Sequence, residues 1–226
     1  LMRKFNQAYR YRSYGELLTN VAIGSLPLSL GASALYADDS YLQSDLGRDS
    51  GPDRRYCVDL NWTVNEKIAA YAMLGREKID SRTRGSSTFT TADWVGRVED
   101  DFETYGAGVN AQFTDKIGVN LDYSYGAGNS RTRITGAGDG IFPVVKSELS
   151  SFKAGVTYGF SERTDLRLTW WYETLKTSDW SYNAQPAAMP TVLGLGVDPY
   201  NYDVNYVTLS MSYRFGGPKA TEAAAE

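Results

Sequence analysis

Residue types that perform chemistry are scarce in this chain, and histidine is missing from it altogether. Without histidine there is no Ser-His or Cys-His nucleophile pair, no histidine metal ligand and no CxxCH attachment motif for c-type haem. The single cysteine, Cys57, cannot form an intrachain disulfide, and it alternates with Asp59 and Asn61, so we interpret it as a small inert filler. Any haem on which the function depends must therefore belong to a partner.

Other groups of residues resemble known sites without meeting their requirements. An acidic stretch contains Asp38, Asp39, Asp45, Asp49 and Asp53. Its carboxylates suit Ca²⁺, but the stretch lacks EF-hand spacing and is interrupted by arginines, which favours a solvated loop. The sequence GAGDG at 136–140 follows no strand-to-helix pattern and indicates a loop, not a nucleotide site. Lys153 and Glu173 suggest the electrostatics of a polar surface and no acid–base dyad, so no catalytic residue is predicted.

Composition excludes two broad classes of protein. The 226 residues carry a net charge of −4, and charged residues are interspersed with apolar ones, which is not the profile of a nucleic-acid-binding protein. No apolar run approaches the roughly 20 residues that a transmembrane helix requires, and the mean hydropathy is −0.39. A transmembrane β-barrel remains possible, because half of each strand then faces a polar interior.

A period of two residues runs along almost the whole chain and predicts an all-β protein. In KIGVNLDYSYGAG, for example, Ile117, Val119 and Leu121 alternate with small or polar residues. We predict nine strands, at 8–23, 28–38, 54–63, 67–79, 101–113, 116–130, 149–160, 164–176 and 203–215. In KIAAYAMLGRE either phase is possible, and we assign Ile68, Ala70, Ala72 and Leu74 to the apolar face by analogy with the other strands that follow a tight turn.

The two faces of these strands predict two environments. We expect lipid contact for Val119, Leu121, Tyr123, Leu166, Leu168, Trp170, Leu209, Met211 and Tyr213. We expect lumen-facing contacts to a partner for Gly106, Gly108, Asn110, Gly118, Asn120, Asp122, Lys153, Gly155, Arg167 and Thr169. The opposite phase would place Arg167 and Lys153 in lipid, at a cost of about 2 to 4 kcal/mol each. The glycines would let a bulky protein approach the wall, although the same residues could line a water-filled pore.

Connections of two kinds alternate along the chain. Tight turns lie near 25–27, 64–66, 114–115 and 161–163, and long polar loops lie near 39–53, 80–100, 131–148 and 177–202. This asymmetry is typical of an up-and-down outer-membrane barrel with short periplasmic turns and long extracellular loops. The alternative is a soluble sandwich or lipocalin-like barrel, in which the apolar face would be buried.

The start of the chain allows two interpretations. Residues 2–37 have a basic head and an apolar middle like a secretory signal, but Glu16, Asn20 and Pro27 interrupt the apolar stretch, so two strands explain more. Bacterial single-chain barrels have an even number of strands, so nine strands in a chain that begins at Leu1 indicate the C-terminal part of a larger barrel. We assign residues 1–216 to this barrel part and expect 217–226 to be a disordered tail.

Several segments resemble the MtrB/PioB family of outer-membrane β-barrels. They are RKFNQAYRYRSYGELL, SALYADDSYLQSDLG, EKIAAYAMLGREKIDS, TADWVGRVEDDFETYGAGVN and the stretch from LRLTWWYE to LSMSYRF, which is the most specific. The resemblance covers nearly all of residues 2–215. It departs from the family in lacking the N-terminal part of the barrel, and the tail that follows Phe215 leaves open whether that residue is the terminal assembly signal.

The resemblance implies a non-enzymatic sheath that insulates a periplasmic decahaem c-type cytochrome from lipid and forms a transmembrane electron conduit. It also implies a second multihaem cytochrome docked on the outer surface, and all haems would be carried by these partners, with no cofactor bound by this chain. Two other functions stay open at the level of sequence. One is a passive porin, and the other is an outer-membrane enzyme with a carboxylate-only site.

Overall fold

The computed structural model describes residues 9–24, 26–41, 45–88, 90–180 and 201–215. These residues form eleven strands: β1 (Tyr11–Ala22), β2 (Leu28–Ser40), β3 (Gly47–Ser50), β4 (Asp53–Asn65), β5 (Ile68–Gly85), β6 (Trp94–Thr114), β7 (Ile117–Gly136), β8 (Gly140–Ile141), β9 (Val145–Ser161), β10 (Thr164–Ser178) and β11 (Tyr202–Tyr213). Within the described ranges, no helix has the length and apolar character needed to cross a membrane. The predicted tail at 217–226 and most of the predicted loop at 177–202 lie outside these residues.

The strands form one antiparallel sheet in which the long strands follow one another in chain order. The nine predicted strands are confirmed as β1, β2, β4 to β7 and β9 to β11. The short strands β3 and β8 were not predicted; β3 pairs with β2 and β5, and β8 pairs with β7. At the start of the chain, β1 pairs with β2 from Tyr11 opposite Ser40 to Ala22 opposite Ser29, as the two-strand interpretation requires.

Three tight turns are fixed by side-chain oxygens of the residues that precede them. The Asn65 side chain accepts a hydrogen bond from the backbone N–H of Lys67 at 2.9 Å. Thr114 Oγ1 accepts from the backbone N–H groups of Lys116 and Ile117 at 3.2 and 3.1 Å. Ser161 Oγ accepts from the backbone N–H of Arg163 at 3.3 Å. These local bonds favour turns at Asn, Thr and Ser, which explains why the sequence marks this end of the sheet clearly.

At the opposite end, the predicted long loops are largely continuations of the strands. The structure pairs β5 with β6 as far as Gly85 opposite Trp94, and β6 with β7 as far as Trp94 opposite Gly136. The predicted ends at residues 79 and 130 were therefore too early, and the predicted start at residue 101 was too late. The apolar alternation stops before the backbone pairing does, and the pairing continues with charged side chains, so periodicity alone missed the extension.

The burial pattern is the reverse of that in a soluble sandwich. We call the face that carries Val119 and Leu168 the outer face, and the face that carries Asn120 and Thr169 the inner face. On the outer face Leu74, Leu168 and Leu209 are exposed, whereas the buried hydrophobic residues of the described chain are only Ala37, Tyr41 and Leu46. In the described ranges the strands form one sheet and no second protein layer covers the apolar face, so the lipocalin-like and sandwich alternatives are wrong for this part of the chain.

The register settles the ambiguous phase of β5. Ala70 lies opposite Val109, and Leu74 lies opposite Tyr105, so both belong to the outer face. On its other side, β5 places Ala72 opposite Leu60 of β4. The assignment of Ile68, Ala70, Ala72 and Leu74 to the apolar face is confirmed.

The acidic stretch is not a fully solvated loop. Asp39 and Asp53 are 4% and 6% exposed, next to the small buried cluster of Ala37, Tyr41 and Leu46. Arg12 donates two hydrogen bonds to Asp39, at 2.7 and 2.9 Å, and Arg55 pairs with Asp53 at 3.1 Å. Asp49 pairs with Arg82 and Arg84, each at 3.2 Å. Arginines from β1, β4 and β5, outside the stretch itself, thus neutralise its carboxylates.

Candidate functional site

The ten predicted lumen-facing residues lie together on the inner face. One row across the sheet consists of Asn110, Asn120, Gly155 and Thr169, each opposite the next. The neighbouring row contains Gly108, Asp122 and Lys153, and Arg167, Gly118 and Gly106 lie in the rows beside these two. The sheet therefore brings residues from four strands, β6, β7, β9 and β10, into one surface. Whether that surface contacts a partner stays a prediction.

A chain of hydrogen bonds crosses this surface from β5 to β10. Tyr71 donates its hydroxyl hydrogen to Asp122 at 2.9 Å, and Asn120 donates to the other carboxylate oxygen at 3.2 Å. Arg167 in turn donates to the side-chain oxygen of Asn120 at 3.3 Å. The acceptors Asp122 and Asn120 each bind a donor from another strand, and Asp122 also binds Asn120 on its own strand. These bonds fix the side chains in place before any partner binds.

The glycines of the inner face are covered by larger side chains of neighbouring strands. The Tyr71 ring lies across Gly108, so that a Cβ there would stand 2.8 Å from Tyr71 Cζ. Met73 covers Gly106, Gln112 covers Gly118, and Asn120 covers Gly155. We expected these glycines to leave the wall bare for a bulky partner. In the structure they make room for the chain's own side chains, which lie flat along the sheet.

Aromatic and apolar residues form a second region of the inner face, on β9, β10 and β11. We call it the inner aromatic patch; it comprises Leu149, Trp171, Leu175, Tyr202, Val204 and Tyr206. Val204 and Tyr206 are 45% and 51% exposed. Trp171 meets Tyr206 edge to face, with ring centroids 6.3 Å apart, and donates its indole N–H to Ser151 at 2.7 Å.

Two charged residues contact the inner aromatic patch: Lys153 lies at its border, and Glu173 lies within it, opposite Val204. Lys153 Nζ lies 4.1 Å from the centroid of the Trp171 ring, and Glu173 accepts a hydrogen bond from the Tyr202 hydroxyl at 2.7 Å. The two charges therefore contact aromatic side chains and not each other. Sequence periodicity places Trp171 on the inner face but could not identify the patch, because its members meet only through the register of three strands.

Open recesses lie along the inner face. One has a volume of about 670 Å³ and is lined by polar residues that include Asn110, Asn120 and Arg167. A second recess of about 390 Å³ lies over the inner aromatic patch. Among the described residues, no three Cys, Asp or Glu side chains converge in a way that could hold a metal ion. The surface is thus suited to non-covalent contact along a wall.

The nine predicted lipid-facing residues share the outer face. Leu121 lies opposite Val109, Val119 lies opposite Val156, and Leu168 lies opposite both Val156 and Leu209. Trp170, Tyr123, Leu166, Met211 and Tyr213 occupy the same face in the adjacent rows. On β7 the apolar span covers residues 117–125, which agrees with the 9 to 11 residues that a strand needs to cross a bilayer.

Comparison with known proteins identifies both a family and a fold. A family model described as "Putative outer membrane beta-barrel porin, MtrB/PioB" matches residues 1–215. The chain is 29% identical over 217 residues to "Outer membrane protein MtrB" of Shewanella baltica (strain OS185), covering 95% of this chain and 31% of that protein. The chain thus spans about a third of the length of this relative.

Two solved structures share the fold. The copper transporter OprC superposes with a TM-score of 0.64 at 11% identity, over 89% of this chain and 34% of that one. BauA, the ferric preacinetobactin receptor from Acinetobacter baumannii, superposes with a TM-score of 0.60 at 13% identity, over 89% of this chain and 37% of that one. At these identities the likeness concerns the arrangement of strands alone.

Proposed function

Because the chain belongs to the MtrB/PioB family of outer-membrane β-barrel proteins, we propose that it forms part of the wall of a barrel that houses a multihaem c-type cytochrome. The protein is located in the outer membrane. Its role is to exclude lipid from the cytochrome and to hold the cytochrome across the membrane, so that electrons pass between haems and the wall performs no chemistry.

The observation that carries this proposal is the inner aromatic patch. A water-filled pore gains nothing from exposed Leu, Tyr and Val side chains, whereas exposed apolar patches bordered by polar residues are typical of protein interfaces. Trp171 and Tyr206 have the size and chemistry of interface anchors, and the hydrogen-bonded row at Asn120 and Asp122 supplies a polar border. A folded partner that fills the lumen would cover both regions.

The composition of the chain agrees with a barrel that binds no haem and a partner that binds all of them. The sequence has no histidine and one cysteine, so it supplies neither the CxxCH motif nor the axial histidine of a c-type haem. In our proposal all haems are therefore bound by the cytochrome. The short turns at Lys67, Lys116 and Arg163 face the periplasm, from which the cytochrome enters, and the extended strand ends project outside the cell.

Two adjacent tryptophans on opposite faces of β10 allow a matched test. In the full-length protein purified from its native membrane, Trp171→Ala should lower the haem absorbance that co-elutes per barrel, because it removes an anchor of the inner aromatic patch. Trp170→Ala removes a side chain of the same size from the outer face and should leave the haem content unchanged. A wild-type barrel that elutes without haem would overturn the proposal.

A passive porin is the second candidate, and it is favoured by the family description and by the polar recess of about 670 Å³. The two functions predict opposite results in a planar bilayer. A barrel filled by a cytochrome should show little ion conductance until the cytochrome is removed, whereas a porin should conduct as purified.

A further inference from the structure

A cluster of basic side chains lies on the outer face beyond the apolar band. We call it the outer basic patch; it comprises Arg97, Arg131, Arg133, Lys146 and Lys176, on strands β6, β7, β9 and β10. The register places Arg97 opposite Arg133, and Asp101, Asn129 and Lys146 follow one another across one row of the same face. All five basic side chains point to the same side of the sheet as Leu121 and Trp170.

The five cations have no hydrogen bond, ion pair or ring contact among the residues that the structure describes. The neighbouring strands differ in this respect, because Arg76 pairs with Asp101 at 2.7 Å, and Arg54 pairs with Asp80 at 3.5 Å. The register places Glu99 opposite Arg131 and Glu148 opposite Lys176, but among the described residues neither carboxylate lies within ion-pair distance of a cation. Five cations against these two carboxylates leave the patch with an excess of positive charge in a chain whose net charge is −4.

The patch continues directly from the lipid-facing surface. Lys176 lies four residues beyond Tyr172, and Arg133 lies eight residues beyond Tyr125, so the cations extend about 13 to 26 Å along the strands at roughly 3.3 Å per residue. With a strand tilt near 40°, this corresponds to about 10 to 20 Å above the aromatic end of the apolar band. An amphiphile standing against the barrel would place its acyl chains on Leu121 and Trp170 and its headgroup on the patch.

We propose that the outer basic patch binds the phosphate and carboxylate groups of lipopolysaccharide in the outer leaflet. Lipopolysaccharide combines acyl chains with several anionic groups that lie at increasing height above the hydrocarbon, which is the pattern that the patch complements. Arginine suits this task because its planar guanidinium pairs bidentately with phosphate and carboxylate. The proposal rests on the orientation given above, in which the extended strand ends lie outside the cell.

The test uses the full-length protein extracted with its partner complex. The fivefold variant changes each cation of the patch to Gln: Arg97, Arg131, Arg133, Lys146 and Lys176. It should retain about tenfold less lipopolysaccharide per barrel, because exposed ionic contacts add to the affinity. Mass spectrometry of the released lipid A measures the amount retained. The matched control is Lys67→Gln/Lys116→Gln/Arg163→Gln, which removes exposed cations at the short turns and should retain the wild-type amount.

Further arms of the experiment keep the proposal separate from its alternatives. If the fivefold variant fails to assemble, as judged by its heat-modifiable migration on gels, binding of purified lipopolysaccharide to the wild type should still weaken from 0.05 to 0.5 M salt. Equal retention by variant and wild type would overturn the proposal, as would equal binding of phosphatidylglycerol. Loss of an outer-surface protein from the fivefold variant, with its lipopolysaccharide content unchanged, would also overturn the proposal. Haem content per barrel is measured in the same samples, because a low haem content indicates failure of the proposed sheath function and not of lipopolysaccharide binding.

Discussion

At the scale of single residues, the inner face is organised by pairs in which a large side chain covers a glycine on the next strand. The pair of Tyr71 and Gly108 is the clearest, because the tyrosine also donates a hydrogen bond to Asp122 at 2.9 Å. Gly108 is needed because a side chain there would overlap the Tyr71 ring, and not because the backbone adopts a conformation that only glycine allows. The sequence places these glycines on the inner face correctly, but only the register reveals what occupies the space beside them.

We expect Gly108→Ala to destabilise the barrel by about 1 to 3 kcal/mol, because a Cβ would collide with the Tyr71 ring. In a Tyr71→Ala background the same substitution should cost less, since the ring is gone and only the Asp122 carboxylate, with Oδ1 at 2.8 Å from the Cβ position, has to move. Gly75→Ala is the control, because the nearest atom to a Cβ there is Thr104 Cβ at 3.7 Å. Urea unfolding in micelles gives the free energies of unfolding of the wild type, the two single variants, the double variant and the control. An equal cost of Gly108→Ala in the wild-type and Tyr71→Ala backgrounds would refute the steric explanation.

Asp39, near the C-terminal end of β2, makes a pH-dependent contribution to stability. The hydrogen bonds from the Arg12 guanidinium hold the pKa of the Asp39 carboxyl below its ordinary value. The folded pKa lies below the unfolded one, so the stabilisation is present in full above about pH 4 and is lost as the pH falls through the folded pKa.

Asp39→Asn should therefore lower the free energy of unfolding by about 1 to 2 kcal/mol at pH 7, a modest value because Arg12 is 42% exposed. The difference between wild type and variant should vanish under acidic conditions. Chemical unfolding at several pH values measures this, and a difference that stays constant down to pH 2 would contradict the role given to the ion pair.

At the scale of strands, the sequence predicts the membrane-spanning parts well and the projecting parts poorly. Within the bilayer each strand must alternate apolar and polar residues, so the pattern marks both its presence and its phase. In the parts of the strands that extend beyond the apolar span, both faces contact solvent. Ion pairs such as Arg76 with Asp101 take the place of the apolar side chains there. That is why β6, with 21 residues, extends beyond its predicted span and why the short strands β3 and β8 gave no signal.

The adjacent residues Leu168 and Thr169 test the assignment of the two faces within one strand. Leu168→Lys should destabilise the barrel by about 2 to 4 kcal/mol or block its assembly, because it places a charge in the hydrocarbon. Thr169→Lys adds the same charge on the inner face, beside Gly155 and Thr208, and should cost less than about 1 kcal/mol. Similar losses for both variants, measured by heat-modifiable migration and unfolding, would show that the faces are wrongly assigned.

At the scale of the whole molecule, the sheet separates two environments that differ in what can cover them. The outer face is apolar over one bilayer thickness and carries charges beyond it, whereas the inner face combines a hydrogen-bonded polar row with the inner aromatic patch. Within the described residues, the edge strands β1 and β11 each pair on one side only. The function of the sheet depends on what lies against each face.

Site-specific photo-crosslinking in intact cells tests most directly whether the inner face contacts a cytochrome and the outer face contacts lipid. A benzophenone amino acid at Thr169 points to the inner face, and the same group at Leu168 points to the outer face of the same strand. We predict a haem-positive protein adduct from position 169 and only lipid adducts from position 168. No haem-positive adduct from position 169, or equal yields from both positions, would contradict the proposal that this wall encloses a cytochrome.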